Sequence, residues 1–209
     1  MEQPITRLAQ AQSTKDKIMI IASLLFAQNG YASVSMSHIA KQAKIRPAAI
    51  YYHFESKEAL YDAILENIES VYEVFFRRTD EKIAKVETFE QVLDCLFGEV
   101  IDVYDMYIYF GYCSIITEQF RYEKATSAFT DVMVKRGIEY SVTKFDECVE
   151  KKWVKPFDTR AVATLFHNSV VVGTMMRTHE AMNHQTAYDT REMFISLKQL
   201  ILDFVSSRA

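Results

Sequence analysis

Apolar residues in the first quarter of the chain recur every three or four positions, which is the spacing of one buried face of an α-helix. Thr14 is placed to cap a first helix. Asn29–Gly30 is placed to end it, since glycine readily takes the left-handed conformation found after a helix C-terminus. The inward-facing residues of this helix are predicted to be Ile18, Ile21, Ala22, Leu25 and Phe26.

Three further helices are predicted to follow. Ser35 can cap a short second helix, Pro47 suits the first position of a third, and Ser56 can cap a fourth. Only residues 44–46 separate the second helix from the third, so the pair has the spacing of a helix-turn-helix unit. On this spacing alone, an ordinary helical corner is an equally good interpretation.

The rest of the chain is also helical in pattern, and the sequence therefore predicts an all-α fold. The fourth helix is expected to run to about Ala84, and Thr88 with Gln91 has the form of a capping box for a fifth. The remaining predicted helices are Met106 to Ile116, Ala125 to Trp153, Thr159 to Met182, and a last one that begins at Asp189 and carries the stripe Met193, Leu197, Leu200, Ile201 and Phe204.

Composition supports long helices with few connections. The 209 residues include only 5 Gly and 3 Pro, whereas sandwiches, barrels and doubly wound sheets need many tight turns built from these residues. No apolar run reaches the roughly 18 residues of a membrane span, so no membrane partner is expected. The 3 cysteines are widely spaced, which disfavours a disulfide framework or a zinc knuckle and favours a reducing cytoplasm.

The formal net charge of −4 is unevenly distributed. Residues 1–57 hold 7 Lys or Arg against 3 Asp or Glu, and the remaining residues hold 17 against 25. A basic first quarter on an acidic body indicates an anionic partner for the front of the chain only. Chance unevenness is the alternative interpretation of this distribution.

A string of residues between about Thr14 and Tyr61 is more specific than helix spacing. Two tyrosines, a histidine and a phenylalanine stand in succession and are followed by Ser-Lys-Glu. This stretch is similar to the DNA-binding domain of the TetR family of bacterial transcriptional regulators. The residues that carry the resemblance are Ser35, Ile39, Ala40, Ala43, Ile45, Ile50, Tyr51, Tyr52, His53, Phe54, Ser56, Lys57, Glu58 and Leu60.

The resemblance implies a helix-turn-helix DNA-binding domain over residues 1–55 and a helical ligand-binding and dimerisation domain over residues 56–209. It places the third helix in the major groove of an operator, where apolar side chains can touch thymine methyl groups and an arginine can pair with guanine. Arg46 is the candidate for direct base reading, and DNA shape would supply further specificity. The predicted DNA contacts are Ser35, Ser37, Lys44, Arg46, Pro47, Ala48, Ala49, Tyr51, Tyr52, His53 and Lys57.

Several of these contacts have alternative interpretations. One tyrosine of the pair Tyr51 and Tyr52 is expected to be a core aromatic instead, and His53 can be a hydrogen-bonding residue at a helix end. The family usually has glycine where Lys44 stands, so this lysine must take a positive φ or the turn must change shape. Arg46 replaces the usual Ser or Thr cap, which makes it a poor cap and a good phosphate or guanine partner.

The stretch from Met106 to Ile116 is apolar on every side, which is typical of a helix in the middle of a bundle. A tyrosine-rich core is one interpretation. The resemblance favours another, the wall of a pocket for a small apolar or aromatic effector. Glu118 and Arg121 are candidate polar contacts of this pocket. Its predicted lining residues are Tyr104, Tyr107, Phe110, Cys113, Ile116, Phe120 and His167, the last of which can equally be a satisfied core histidine.

The resemblance also implies that the last two long helices pair with their copies to form a homodimer, which suits a palindromic operator. The small residues Ser169, Gly173 and Thr174 can allow close approach of the partner. Packing of the same faces within one chain is the alternative.

No catalytic chemistry is expected. His179 and His184 lie five residues apart, so on a helix they point about 140° apart and do not share a metal ion. No phosphate-binding glycine loop, nucleophile elbow or paired-carboxylate site is visible, and neither a cofactor nor a metal is predicted. The sequence therefore predicts a repressor that a ligand releases from DNA. A helical enzyme or carrier, and a regulator without an effector, remain as rival interpretations.

Overall fold

The computed structural model describes residues 13–102, 106–183 and 190–207, and every regular element in these ranges is helical. The predicted all-α fold is confirmed. None of the described helices is long and apolar enough to cross a membrane. The helices are α1 Thr14–Asn29, α2 Met36–Gln42, α3 Pro47–His53, α4 Lys57–Ile83, α5 Phe89–Asp102, α6 Met106–Glu118, α7 Glu123–Ser127, α8 Gly137–Glu150, α9 Thr159–Asn183 and α10 Thr190–Ser206, with a π-helical segment Ala128–Arg136 between α7 and α8.

The helix caps follow from local hydrogen bonds. Ser13, not Thr14, caps α1: its Oγ accepts from the N–H of Asp16 at 3.1 Å and donates to the Asp16 carboxylate at 2.8 Å. The prediction was wrong by one residue because both positions hold a hydroxyl, and only Ser13 stands three residues before Asp16. Gly30 ends α1 with a positive φ of 75°, as predicted, but its ψ of 150° lies outside the left-handed helical conformation that was expected.

Caps further along the chain agree with the sequence. The Oγ of Ser35 accepts from the N–H of His38 at 3.1 Å, and the Oγ of Ser56 accepts from the N–H of Ala59 at 3.0 Å. Thr88 accepts from the N–H of Gln91 at 3.2 Å, while the Gln91 side chain reaches back to the N–H of residue 87. These short-range bonds satisfy amides that the first turn of a helix leaves without partners.

The described residues form two compact units. The first contains residues 13–70 and 106–129, and the second contains residues 71–102, 130–183 and 190–207. In the first unit, α6 packs along α1, so residues 106–129 join the helices of residues 13–70. Helix α4 contributes residues to both units.

The core of the first unit is built on α1, α4 and α6. Apolar side chains at helical spacing on each helix are fully or almost fully buried, which is the main stabilising contribution in a fold of this kind. On α6 the buried residues are Phe110, Gly111, Ser114, Ile115 and Glu118. The other core residues include Ile18, Ala22, Leu25, Phe26, Ile39, Ala40, Ile50, Leu60, Tyr61, Ile64 and Ile68.

The core of the second unit joins α5, α8, α9 and α10. Aromatic rings meet edge to face in its centre, with the centroids of Phe97 and Phe166 4.8 Å apart. The buried apolar residues of these helices are Phe89, Val92, Leu93, Leu96, Phe97, Phe145, Cys148, Val162, Ala163, Phe166, Phe194, Leu197, Ile201 and Val205.

The long helix predicted from Ala125 to Trp153 is interrupted. Its middle is π-helical, and α8 ends at Glu150 with Lys152 in the left-handed region at φ of 58°. The N–H of Trp153 donates to the carbonyl of Cys148 at 2.9 Å, which closes the helix C-terminus. The predicted start of the last helix at Asp189 lies outside the described residues.

Gly173 serves packing within the chain. A Cβ atom at this position would lie 2.6 Å from Cζ of Phe194, so only glycine lets α9 approach the α10 ring. The close approach predicted for a partner chain is therefore made by α10 of the same chain at this residue. Thr174 donates to the carbonyl of Val170 at 2.9 Å on its own helix.

Candidate nucleic-acid interface

The pair α2 and α3 carries an exposed face of polar and small side chains. Ile39, Ala40, Ala43 and Ile50 are completely buried beneath it and fix both helices to the first unit. Eight of the predicted DNA contacts are exposed on the two helices and the turn between them: Ser35, Ser37, Lys44, Arg46, Pro47, Ala48, Tyr51 and Tyr52. This arrangement presents the polar and small side chains that a DNA groove can accept.

The turn between α2 and α3 is closed by its own backbone. Lys44 adopts φ of 55°, so it takes the positive angle that glycine usually supplies here. The N–H of Ile45 donates to the carbonyl of Ala40 at 3.0 Å, which is the six-residue bond of a Schellman motif. The first of the two expectations for Lys44, a positive φ, is confirmed.

Arg46 stands immediately before α3. Its backbone is extended, and its side chain makes no capping hydrogen bond to the helix. Pro47 takes the first helical position and removes one amide that would need a cap. The guanidinium is thus carried on the exposed face at the N-terminus of α3 without being used as a cap.

The rest of α3 differs from its sequence interpretation in one respect. Both Tyr51 and Tyr52 are exposed, by 53% and 86%, so the expectation that one of them is a core aromatic is wrong. Ile50 and Phe54 supply the buried side of this helix instead, since residues three or four apart share a face. Ala49 and His53 are half-buried, and the His53 ring meets the Tyr52 ring edge to face at 5.2 Å.

Lys57 is held within the protein. Its Nζ donates to the carbonyls of Tyr31 and Val34 at 2.8 and 2.9 Å and lies 4.2 Å from the centroid of the Tyr31 ring. Burial lowers the pKa of Lys57, and the nearby carboxylate of Glu118 opposes that shift. Two of the three donors of the ammonium therefore bind the loop before α2, a role that the sequence did not indicate.

Four of the predicted effector contacts are described in the first unit, Phe110, Cys113, Ile116 and Phe120, and His167 is described in the second. Tyr104 lies outside the described residues. The backbone of Tyr107 belongs to α6, and its side chain is outside the described part of the structure. Phe110 is buried, whereas Cys113 and Ile116 are half-buried on the same helix. Phe120 is 88% exposed, so its assignment to the wall of an enclosed pocket is not supported.

His167 belongs to the second unit and is a satisfied core histidine. Its Nε2 is hydrogen-bonded to the carbonyl of Met133, and its ring fills the space that a side chain at Gly137 would need. Burial lowers the pKa of His167, which favours the neutral ring.

Glu118, expected as a pocket contact, is instead bonded to the helix-turn-helix region. Only 4% of it is exposed, and its Oε1 accepts from the N–H of Tyr31 at 3.0 Å. Arg121 is exposed. The contact of Glu118 joins residues 87 positions apart, so no local pattern could have shown it.

Four aromatic rings surround this contact. Tyr61 is completely buried, and its hydroxyl donates to the carbonyl of Ser114 at 3.1 Å. The Tyr122 hydroxyl donates to the Asp62 carboxylate at 3.0 Å. The ring centroids of Phe26, Tyr31, Tyr61 and Tyr122 lie between 5.0 and 5.7 Å from their neighbours in the cluster.

Comparison with known proteins agrees with this geometry. The sequence profile of bacterial regulatory proteins of the tetR family matches residues 21–64, which contain α2 and α3. A biofilm operon negative transcriptional regulator, IcaR of Staphylococcus epidermidis, is 32% identical over 94 residues, which cover 45% of this chain and 49% of IcaR. The match therefore spans about half the length of that curated relative.

Solved structures show the same fold over nearly the whole chain. Salmonella enterica GusR has a TM-score of 0.66 and 22% identity, covering 96% of this chain and 99% of GusR. FadR of Bacillus subtilis in complex with stearoyl-CoA has a TM-score of 0.62 and 21% identity, covering 88% of this chain and 95% of FadR.

The helix-turn-helix with its exposed face and the profile match define a DNA-binding domain of the helix-turn-helix class at the front of the chain. The match to the tetR family of bacterial regulatory proteins covers residues 21–64, and over the rest of the chain the likeness to solved structures is one of fold. The curated relatives that match are named as transcriptional regulators.

Proposed function

We propose that the chain is a sequence-specific DNA-binding transcriptional regulator, a repressor that a small apolar or aromatic ligand releases from a palindromic operator. The observation that carries the proposal is the exposed face of α2 and α3, on which Lys44 and Arg46 immediately precede a recognition helix whose Ile50 is buried against the first unit. The negative regulation by IcaR supports a repressor. The proposed place of action is the cytoplasm.

Within that face, Arg46 is proposed to read guanine while Lys44 meets phosphate. Pro47 and Ala48 carry no hydrogen-bonding side-chain group and would contact thymine methyls or the groove wall. Ser37 and the two exposed tyrosines are proposed phosphate contacts. Ser35 accepts the cap bond of α2 with its hydroxyl oxygen and keeps its proton for a phosphate.

Two copies of this face would be presented by a homodimer. Leu165, Val172 and Met175 lie on one side of α9 and are 48%, 49% and 42% exposed. On α10, two of the five residues of the predicted apolar stripe, Leu197 and Ile201, are buried within the chain, whereas Leu200 is 57% exposed. Apolar surface left on two neighbouring long helices suits a self-complementary interface, which pairs with a palindromic site.

The effector is proposed to act by binding two conformers with different affinity. A hundredfold loss of operator affinity requires a coupling free energy of about 2.7 kcal/mol. Phe110, Cys113 and Ile116 on α6 remain the candidate contacts, and their apolar chemistry favours an acyl or aromatic ligand. The stearoyl-CoA complex of FadR, which shares the fold, is a precedent for an acyl effector.

The test begins with the full chain and a pool of random duplexes, from which bound sequences are selected. We expect a palindromic consensus and a dimer in analytical ultracentrifugation, with Val172→Asp shifting the mass to that of a monomer. The chain would not be a sequence-specific regulator if it showed no preference among duplexes at moderate ionic strength.

Arg46→Ala is expected to cost about 1–3 kcal/mol on the selected duplex and to relax the preference at one base pair per half-site. Lys44→Ala is the matched control: it should lower affinity for all duplexes alike and reduce the salt slope by about 0.9 per phosphate contact. If Arg46→Ala weakened every duplex equally, Arg46 would be a phosphate contact. Saturating ligand that leaves operator binding unchanged would contradict the proposed release mechanism.

A further inference from the structure

The loop of residues 30–35, which joins α1 to α2, is bonded to two side chains far away in the sequence. Lys57 at the start of α4 donates to the carbonyls of Tyr31 and Val34. Glu118 at the end of α6 accepts from the N–H of Tyr31. Two groups of opposite charge therefore bind Tyr31: the ammonium of Lys57 at its carbonyl and the carboxylate of Glu118 at its amide.

Burying the carboxylate of Glu118 costs free energy unless other groups in the protein interact with it. A buried carboxylate loses its hydration, and a hydrogen bond and a nearby cation must compensate for that loss. The Tyr31 amide supplies the hydrogen bond, and the ammonium of Lys57 supplies the charge. A glutamine would keep the hydrogen bond, while an apolar side chain of similar size would remove it.

The loop leads directly into the DNA-facing helices. Ser35 ends the loop and caps α2, and α2 is joined to α3 by a turn whose backbone bonds are internal. A displacement of Tyr31 would therefore move α2 and α3 together as one piece. The exposed residues of the interface would change position without any change in their own contacts.

We propose that Glu118 is a positioning residue for DNA recognition: by holding the amide of Tyr31, it sets the orientation of α2 and α3 that fits the operator. This inference rests on the proposed function. Glu118 itself touches no part of the exposed face, and its effect passes through the loop.

The experiment compares Glu118→Gln with Glu118→Met in the full chain. Both variants remove the charge and keep the side-chain length, and they differ in the hydrogen-bond acceptor. Binding is measured to the duplex selected by the wild type, and to an unrelated duplex of equal length at low salt. Glu123→Met, at an exposed position at the start of α7, is the matched control.

We expect Glu118→Met to bind the selected duplex about tenfold more weakly than Glu118→Gln, while binding to the unrelated duplex changes less than twofold. Glu123→Met should behave as the wild type. Equal affinity of the two Glu118 variants for the selected duplex would overturn the proposal. So would an equal loss on both duplexes, because it would indicate a general structural effect.

Hydrogen exchange gives a readout that does not depend on DNA. The Tyr31 amide should exchange at least tenfold faster in Glu118→Met than in Glu118→Gln. If the wild type selects no sequence while this difference is present, the proposed function fails and the hydrogen bond stands. If Glu118→Met does not fold, Glu118→Asp replaces it, because its shorter side chain withdraws the carboxylate from the Tyr31 amide. Glu118→Asp binding the operator as tightly as the wild type would contradict the positioning role.

Discussion

The two connections on either side of α2 are held in different ways. The turn of residues 43–46 is closed by backbone bonds between residues three to five apart, and its one strained residue is Lys44. The loop of residues 30–35 receives bonds from Lys57 and Glu118, which are 26 and 87 positions away from Tyr31. The internal geometry of the recognition unit is thus local, whereas its attachment to the first unit is not.

This difference separates what a motif can specify from what the whole fold must supply. A turn of this kind can form in different regulators, since its hydrogen bonds are made among neighbouring residues of the turn and α2. The loop cannot, because its carbonyls and amide need partners on α4 and α6. Substitutions at the loop and at the turn should therefore differ in size and in sign.

The largest expected effect is that of Lys57→Met. It removes the ammonium donor from the carbonyls of Tyr31 and Val34, of which the first keeps its bond from the N–H of Val34, and we expect the free energy of unfolding to fall by about 2 kcal/mol. Urea unfolding measures this change. Lys41→Met, at an exposed position on α2, is the control and should lie within about 0.5 kcal/mol of the wild type. A loss as small as that of the control would mean that the loop does not depend on Lys57.

Tyr61→Phe tests the aromatic cluster behind the loop. Removing the buried hydroxyl leaves the carbonyl of Ser114 without this donor, and we expect a loss of about 1.5 kcal/mol near neutral pH. Tyr51→Phe, on the exposed side of α3, should change stability by less than about 0.5 kcal/mol. Equal effects of the two substitutions would contradict the difference in burial.

The same variant changes the response to alkaline pH. Burial raises the pKa of Tyr61 well above its ordinary value of 10.0. The stabilising contribution is complete below pH 10 and is lost as the pH rises further, because the unfolded chain then releases a proton that the folded chain keeps. Tyr61→Phe should therefore make the fall in stability above pH 10 shallower by up to about 1.4 kcal/mol per pH unit.

Ser35→Ala tests the point where the loop meets α2. The cap bond to the N–H of His38 is lost, and we expect destabilisation by about 1 kcal/mol in urea unfolding. Ser37→Ala, in the first turn of the same helix, keeps the cap and should be nearly neutral. A larger effect of Ser37→Ala would indicate that α2 is capped differently in solution.

The smallest expected effect has the opposite sign. Lys44→Gly should stabilise the chain by about 0.7 kcal/mol, since glycine takes a positive φ without the steric penalty of a Cβ atom. Lys152→Gly at the end of α8 is a matched case in the second unit and should behave alike. Destabilisation by Lys44→Gly would show that the lysine side chain makes a compensating contact.

Local features of the first unit were predictable from the sequence. Ser35, Pro47 and Ser56 begin their helices as expected, because caps depend on residues three positions apart. Exposure of both Tyr51 and Tyr52 was not predictable, since the side chains that face inward depend on how α3 is seated. Here Ile50 and Phe54 take that place.

Long-range contacts account for what the sequence could not show. Glu118 looked like a polar group of a ligand pocket and instead binds Tyr31. Gly173 looked suited to a partner chain and instead accommodates Phe194. In both cases the residue type was informative, but the identity of its neighbour follows only from the assembled helices.

The π-helical segment Ala128–Arg136 has a consequence for changes in chain length. Its N–H groups bond five residues back instead of four, so the segment holds more residues per turn than an α-helix does. Deleting one residue there lets the chain resume α-helical bonding and leaves the phase of α8 nearly intact. The same deletion within α8 would rotate every later side chain of that helix by about 100°. This stretch is thus where a family of such chains can gain or lose a residue without rebuilding its core.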